Sequence, residues 1–243
     1  MPSAIEKELM KCDQRKGPPV PKLMPPQPMR GQWVGQSNAG KTFHCLSMLC
    51  DPDMGMKTWD EIYWLAPSKS LQQPKLKVLK DKWKQFVHFI PCDLTIPKQE
   101  IEQRLSEASA KGWLSLVVAD DCQNLDKKER KFLEGLACHG RHQGVSVIEI
   151  CQTIFNGNKT SRLQASVLCL FNTHVGEVRR MAEQICSSKQ KADMLVQAFI
   201  KIIETNPRGC LILDLAGRST KDSWPCRARD TKWNCFIPAL MSL

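Results

Sequence analysis

No stretch of the 243 residues approaches ~18 uninterrupted apolar side chains, so no transmembrane helix and no membrane partner are expected. The first residues, MPSAIEKELMKCDQ, hold no apolar core segment, and a cleaved secretory signal is not expected either. Twelve cysteines include no C-x-x-C pair, which removes the usual zinc-ribbon and redox signatures. Cys138, His139 and His142 lack a fourth ligand at metal-site spacing and read as ordinary structural residues. Cys151, Cys169 and Cys210 sit inside apolar runs, where a reduced thiol behaves as a small hydrophobe. An intracellular, reduced protein is therefore expected. No internal repeat is visible, and no single basic tail.

What is present is a basic, foldable chain. It is 42% hydrophobic and 25% charged, so a packed core is affordable. Lys and Arg number 35 against 25 acids, a net charge of +10 that favours a polyanionic partner. Residues 1–30 stand apart. Six prolines fall within Gly17 to Pro28, which favours extended chain and forbids an inner strand or a helix. The expected organisation is a Pro-rich arm or linker over 1–30 and one domain over 31–243, with the domain folding without the arm. The arm reads either as a loose linker or as a segment that grips a neighbour.

From Gly31 short apolar runs alternate with amphipathic segments. The runs are Trp33-Val34, Ile62 to Leu65, Phe86 to Ile90, Leu114 to Ala119, Val145 to Cys151, Val167 to Phe171 and Cys210 to Leu215. Continuous hydrophobicity suggests strands buried on both faces. Helices are expected over Thr42 to Cys50, Lys98 to Lys111, Lys127 to Cys138, Glu177 to Cys186 and Lys189 to Glu204. Leu76, Leu79, Trp83 and Phe86 are spaced to line one side of a further helix. The alternation predicts an α/β fold, a mostly parallel central sheet flanked by helices.

Gly35-Gln36-Ser37-Asn38-Ala39-Gly40-Lys41-Thr42 fits the phosphate-loop pattern G-x-x-x-x-G-K-[ST], between a short strand and an apolar helix. The glycines allow a tight turn whose backbone N–H groups face phosphate oxygens. Lys41 adds charge for the β- and γ-phosphates, and Thr42 offers a hydroxyl to Mg²⁺. ATP and Mg²⁺ are thus the expected substrate and cofactor. Leu114 to Ala119 is a buried strand ending in Asp120-Asp121. Asp120 can hold the magnesium-bound water and Asp121 can activate the attacking water. The competing reading makes Asp121 the N-cap of the following helix. Gln152, which ends the run Val145 to Cys151, can sense the γ-phosphate or simply bond to a loop. Lys41 and Asp120 lie 79 residues apart with a strand near Ile62 between them, the mark of the additional-strand, RecA-like P-loop NTPases.

The order G-Q-S-N-A-G-K-T, V-V-A-D-D, G-R-H-Q-G-V-S-V-I-E-I-C-Q-T-I-F, S-R-L-Q-A-S-V-L-C-L-F resembles the genome-packaging ATPases of double-stranded DNA viruses. These form the poxvirus-type branch of the FtsK/HerA superfamily. The resemblance spans about Gln32 to Ile185 and, more loosely, Pro207 to Arg229. It implies an ATP-hydrolysing motor that moves viral duplex DNA into a capsid. It also implies a homo-oligomeric ring, pentamer or hexamer, capsid proteins as partners, and a site of action inside the host cell or with the virion. It assigns the acidic pair to Asp120 and Asp121 and the sensor to Gln152. Arg162 matches the arginine that could reach a neighbour's γ-phosphate, with Arg141 as the alternative. Family members often carry two adjacent histidines where this chain has Gly140-Arg141-His142. The alternatives are a helicase, a segregation-type DNA translocase or a small-molecule phosphotransferase.

For DNA two lysine clusters stand out. Pro67 to Gln85 holds six lysines and one acid, among them Lys75, Lys77 and Lys80. Lys127, Lys128 and Lys131 follow the acidic pair. On the inner wall of a ring they would neutralise phosphates without reading sequence; on a monomer they would be solvated helix faces.

Overall fold

Each of the seven apolar runs becomes a strand of one sheet. The computed structural model describes residues 27–50, 58–82, 85–94, 96–122, 125–155, 162, 164–215, 226–229 and 235–236. The strands are β1 (Arg30–Val34), β2 (Glu61–Ala66), β3 (Val87–Pro91), β4 (Ser115–Asp120), β5 (Val145–Cys151), β6 (Val167–Leu170) and β7 (Cys210–Asp214). Two short strands that the hydrophobic pattern did not suggest, β8 (Cys226–Arg229) and β9 (Cys235–Phe236), extend the sheet. The spatial order is β3-β2-β4-β5-β1-β6-β7-β8-β9. The first six strands are parallel, and β7, β8 and β9 pair antiparallel.

Every residue of β1, β4 and β5 is buried, as continuous apolar runs require when helices cover both faces. The helices are α1 (Lys41–Cys50), the short α2 (Ser68–Leu71) and α3 (Lys77–Lys82), α4 (Lys98–Ala110), α5 (Lys127–His139), α6 (Val175–Ile185) and α7 (Lys189–Thr205). On one face Trp33, Leu116, Val118, Ile148 and Ile150 pack with Cys45 and Leu49 of α1 and with Leu71, Leu76 and Leu79 of the α2–α3 segment. On the other, Val117, Ala119, Val145 and Val147 meet Ile101 and Leu105 of α4 and Phe132 and Leu136 of α5. Val34, Leu168, Leu170 and Leu211 meet α6 and α7. The Asp126 carboxylate accepts from Glu129 N at 2.7 Å and caps α5. Ser188 caps α7 in the same way. No helix among the described residues is long and apolar enough to cross a membrane.

Three sequence expectations change. The strand inserted in space between the phosphate-loop strand and the acidic strand is β5, which comes later in the chain. β2 and β3, which lie between the motifs in sequence, sit outside β4 at the sheet's edge. The helix expected from Leu76 to Phe86 is shorter. A 3₁₀ turn at Pro74–Leu76 runs into α3, which ends at Lys82. Trp83 lies outside the described residues, and Phe86 is 46% exposed in the turn before β3. The chain also needs β3 to pair with β2, so the apolar spacing near Phe86 serves a strand.

The third concerns the arm. Packed chain reaches back to Gln27, inside the Pro-rich segment. Met29 is fully buried and Arg30 opens β1. The Arg30 guanidinium donates to the carbonyls of Ala137 (2.5 Å), Val145 (2.7 Å) and Met29 (3.1 Å). Ser146 Oγ donates to Gln27 Oε1 at 2.7 Å. A boundary at residue 30 therefore cuts through the core, and burying a methionine alone is worth about 1.5–3 kcal/mol. Deleting residues 1–26 is expected to leave the thermal midpoint within about 2 °C of the full chain, whereas deleting 1–30 lowers it by about 5–10 °C. Equal midpoints for the two truncations in a thermal melt would refute this placing of the boundary.

Candidate functional site: a phosphate loop facing two acids

The loop Gly35 to Gly40 leaves β1 at the sheet's carboxyl edge, where open α/β sheets bind ligands. A Cβ on Gly35 would lie 2.7 Å from Phe171 Cβ, so glycine is required there by contact with the end of β6. Gly35 N donates to Cys151 O (3.3 Å) and Gln36 N to Asn172 O (2.8 Å), which pins the loop between its two neighbouring strands. Asn38 (φ 62°) and Gly40 (φ 98°) adopt the left-handed conformation that turns the chain into α1. Lys41 Nζ donates to Gly35 O (2.6 Å) and Gln36 O (2.8 Å), closing the loop on itself. Burial lowers the Lys41 pKa from its ordinary value, against the opposing pull of Cys151, Asp120 and Asp121.

Asp120 ends β4 and is 7% exposed. Thr42 Oγ1 lies 3.2 Å from each of its carboxylate oxygens, a hydroxyl shared between two acceptors. Burial pushes the Asp120 carboxyl up to about 6, although Lys75, Thr42 and Lys41 favour its charged form. Burial outweighs their pull, so the carboxylate's charge is only partly compensated. A hydroxyl beside a single carboxylate is also the hard oxygen donor set of Mg²⁺, which is held by one or two carboxylates plus substrate phosphates. The residues fit that ion.

Asp121 is exposed, with φ 58°, and its amide donates to Ile150 O at 3.1 Å. Gln152 Nε2 donates to Asp121 Oδ1 at 3.3 Å. The acid and the amide expected to act on water thus meet across two adjacent strands. Asp121 does not cap α5, because Asp126 does. A non-glycine residue in this conformation costs on the order of 1–3 kcal/mol and persists where its surroundings hold it, here the β5 carbonyl.

Sequence reasoning missed the rest of the cavity. About 700 Å³ of space lies beside the loop, bounded by Asn38, Gly40, Lys41 and Thr42, by Phe43, His44 and Ser47 of α1, and by Lys75, Asn206 and Arg208. Phe43 is 62% exposed. Arg208 comes from the turn between α7 and β7, where its amide donates to Asn206 Oδ1 at 3.1 Å. The only signal was Asn206-Pro-Arg-Gly209, a turn ahead of an apolar run. His44 ties the loop helix to the sheet. Trp33 Nε1 donates to its Nδ1 (2.9 Å), which leaves Nε2 to carry the proton toward Cys210 Sγ at 3.6 Å. Phe171 stands edge-on to the ring at 5.2 Å.

The remaining candidates separate. Arg162 Nη1 donates to Ile154 O (3.2 Å), and its guanidinium lies 4.8 Å from the Phe155 ring centre, so its own chain holds it. The loop 156–161, expected to reach outward, lies outside the described residues. Arg141 is exposed in the 3₁₀ turn before β5, at the edge opposite the loop and roughly 20 Å away along the strand. Lys127, Lys128, Lys131 and Lys77 are exposed. Lys80 instead donates to Leu71 O at 2.9 Å and sits over Phe89, and Lys75 faces the cavity. The three lysines of the first cluster, all exposed, thus stand in different surroundings.

A nine-stranded, mostly parallel sheet with a phosphate loop, and an acidic strand end across one inserted strand, define a P-loop NTPase of the additional-strand class. The chain belongs to the poxvirus A32 protein family, whose profile matches residues 22–227. This is the family of poxvirus-type packaging ATPases to which the motifs pointed. Among solved structures the chain is similar to the genome packaging NTPase B204 from Sulfolobus turreted icosahedral virus 2 in complex with sulfate. There the TM-score is 0.53 at 16% identity, over 79% of this chain and 93% of that one. It is also similar to B204, the DNA-packaging ATPase from Sulfolobus turreted icosahedral virus, with TM-score 0.51 and 15% identity over 81% and 96% of the two chains. At these identities the likeness shows the fold. No individually curated protein matches the chain.

The buried carboxyl at Asp120 has a measurable cost. Its folded pKa of about 6 exceeds the ordinary 3.8, so the folded chain holds the proton more tightly than the unfolded one. Stability contributed by this proton is complete below about pH 4 and is lost as pH rises through about 6. Asp120→Asn, without Mg²⁺ or nucleotide, is expected to be more stable than the natural chain at pH 7 by on the order of 1–3 kcal/mol. The gap closes toward pH 4. Thermal midpoints across pH in a chelator check this, and a less stable variant at pH 7 contradicts it.

Proposed function

We propose that the chain is an ATP-driven motor that moves viral duplex DNA into a capsid, working as a ring of identical subunits inside the infected cell. The observation that carries this reading is the meeting of Lys41, Thr42 and Asp120 with the Asp121–Gln152 pair at one sheet edge, in a chain of the poxvirus A32 protein family. The B204 structures, one of them in complex with AMPPCP, support it as a shared fold.

ATP enters with its phosphates against the amides of Gly35 to Gly40 and the N-terminus of α1. Lys41 then leaves the Gly35 and Gln36 carbonyls for the β- and γ-phosphates. Thr42 and Asp120 would hold Mg²⁺, which would supply positive charge against that developing on the phosphates. Gln152 orients the Asp121 carboxylate, which accepts the proton of the attacking water. Arg162 exchanges Ile154 O for a neighbouring subunit's γ-phosphate. The exposed Lys77, Lys127, Lys128 and Lys131 contact the DNA backbone and stimulate turnover when duplex is present. The greater part of the Pro-rich segment read from composition as an arm or linker, residues 1–26, lies outside the described residues.

Mg²⁺-dependent ATP hydrolysis, raised by blunt duplex DNA, is the expected activity. Lys41→Ala loses triphosphate binding. Asp121→Asn keeps ATP binding while kcat drops by about 10²–10⁴, the range for a general base. An Asp121→Asn protein that turns over normally removes the base assignment. Transfer of labelled phosphate to a nucleoside in place of water removes the motor.

The arginine is tested by mixing. Arg162→Ala and Lys41→Ala subunits, each nearly inactive, are expected to regain activity together, because some interfaces then pair an intact Lys41 with an intact Arg162. The effect of such a finger is roughly 10³–10⁵ in related phosphoryl transfers. Full activity of Arg162→Ala alone, or mixed rings without recovery, rejects the role.

A further inference from the structure

Lys75 was expected to belong to a DNA-facing cluster, but the fold puts it elsewhere. It stands in the 3₁₀ turn Pro74–Leu76, between β2 and β3. Leu76 and Leu79 anchor that segment; both are buried in the same cluster as Leu46 and Leu49 of α1. Leu76 N donates to Gln73 O at 3.1 Å, and Lys80 Nζ closes the segment onto Leu71 O at 2.9 Å. Along β4, Leu116 and Val118 point to the face covered by α1 and this segment. The two-residue period of a strand puts Asp120 on that same face. The Lys75 side chain is exposed and lines the cavity together with Lys41 and Thr42. It enters no ion pair among the described residues.

Charge supports the placement. Among the charged groups around the Asp120 carboxyl, Lys75 favours its ionised form most, ahead of Lys41. The Lys75 charge also disfavours protonated Lys41. Two ammonium groups that repel each other across one cavity suit a polyanion between them.

We propose that Lys75 is a second phosphate-binding lysine of the ATP site and a catalytic residue. It would donate from its ammonium to the terminal phosphate in the cavity it shares with Lys41 and Thr42. The inference rests on the ATPase reading above. In the reaction, water oxygen bonds to the γ-phosphorus as the bond from γ-phosphorus to the β-bridging oxygen breaks. The bond electrons leave with ADP, and the water proton goes to Asp121. Lys75 keeps its protons and neutralises charge on the transferred group.

The test uses the full chain and the variants Lys75→Ala and Lys75→Arg, with the triple variant Lys127→Ala, Lys128→Ala, Lys131→Ala for comparison. Thermal midpoint, affinity for ADP and for a methylene-bridged ATP analogue, kcat and KM, and the salt dependence of duplex binding are measured. Lys75→Ala is expected to melt with the natural chain and to bind ADP as it does. Its affinity for the triphosphate analogue and its kcat each fall by about 10- to 100-fold, the range for one charge-assisted hydrogen bond. Lys75→Arg restores part of both. The salt slope of duplex binding stays unchanged in Lys75→Ala. Analogue affinity and kcat both within about twofold of the natural chain, where one such bond is worth tenfold or more, overturn the proposal. A reduced salt slope with unchanged analogue affinity also overturns it and returns Lys75 to the DNA surface. If the natural chain neither binds nor hydrolyses ATP, the ATPase reading itself falls. If it does both and Lys75→Ala is indifferent, only the role of Lys75 falls.

Discussion

The site depends on parallel pairing of β5 with both β1 and β4. Val34 stands opposite Cys151, and Asp120 opposite Ile150, so three strands end together at one edge. The phosphate loop follows the first, Gln152 the second, and the acidic pair completes the third. A parallel pair cannot be closed by a hairpin, so the chain crosses a face of the sheet between strands, as it does through α1, α4 and α5. Those crossings bury the strands on both faces, and the loop and the acids gather at the carboxyl ends. Sliding β5 by one residue would turn its entire apolar set to the wrong faces. The packing that stabilises the fold therefore also sets the distance between phosphate loop and acids.

Within that frame the site is left electrostatically unfinished. Asp120 is buried with its charge only partly compensated, and Lys41 folds onto its own loop carbonyls. Lys75 and Arg208 border the same space. A magnesium triphosphate has the complementary charges: the cation for the acid, the phosphates for the amines. Binding energy at such a site comes from relieving unfavourable placements that the packed core enforces. Helix α1 can carry this because His44 links it to Trp33 of β1 and Cys210 of β7, fixing its start against two strands with Phe171, the residue after β6, alongside.

Contacts also decide which surface charges are available. Lys80 spans a loop, and Arg162 rests on Phe155 and Ile154 O, so each must give up a contact before it reaches another group. Lys127, Lys128 and Lys131 project from α5, whose other side, Phe132, Leu133 and Leu136, is buried. A basic cluster in sequence thus divides by helix face and by turn into loop-bridging, cavity-lining and solvent-facing groups.

Sequence alone determined the seven main strands, five long helices, the loop Gly35 to Thr42, the acidic pair and Gln152. These are signalled locally, by continuous hydrophobicity, by a glycine-bounded turn and by the residue that ends a buried strand. It could not determine which strand lies between β1 and β4, because strand order is set by crossover packing between segments far apart in the chain. Nor could it show that Met29 and Arg30 belong to the core, since a Pro-rich composition hides a strand whose bonds run to Ala137 and Val145. Lys75 and Arg208 were illegible as site residues for the same reason. Their neighbours at the cavity, Lys41 and Thr42, are at least 33 residues away in sequence, and only the folded sheet brings them together.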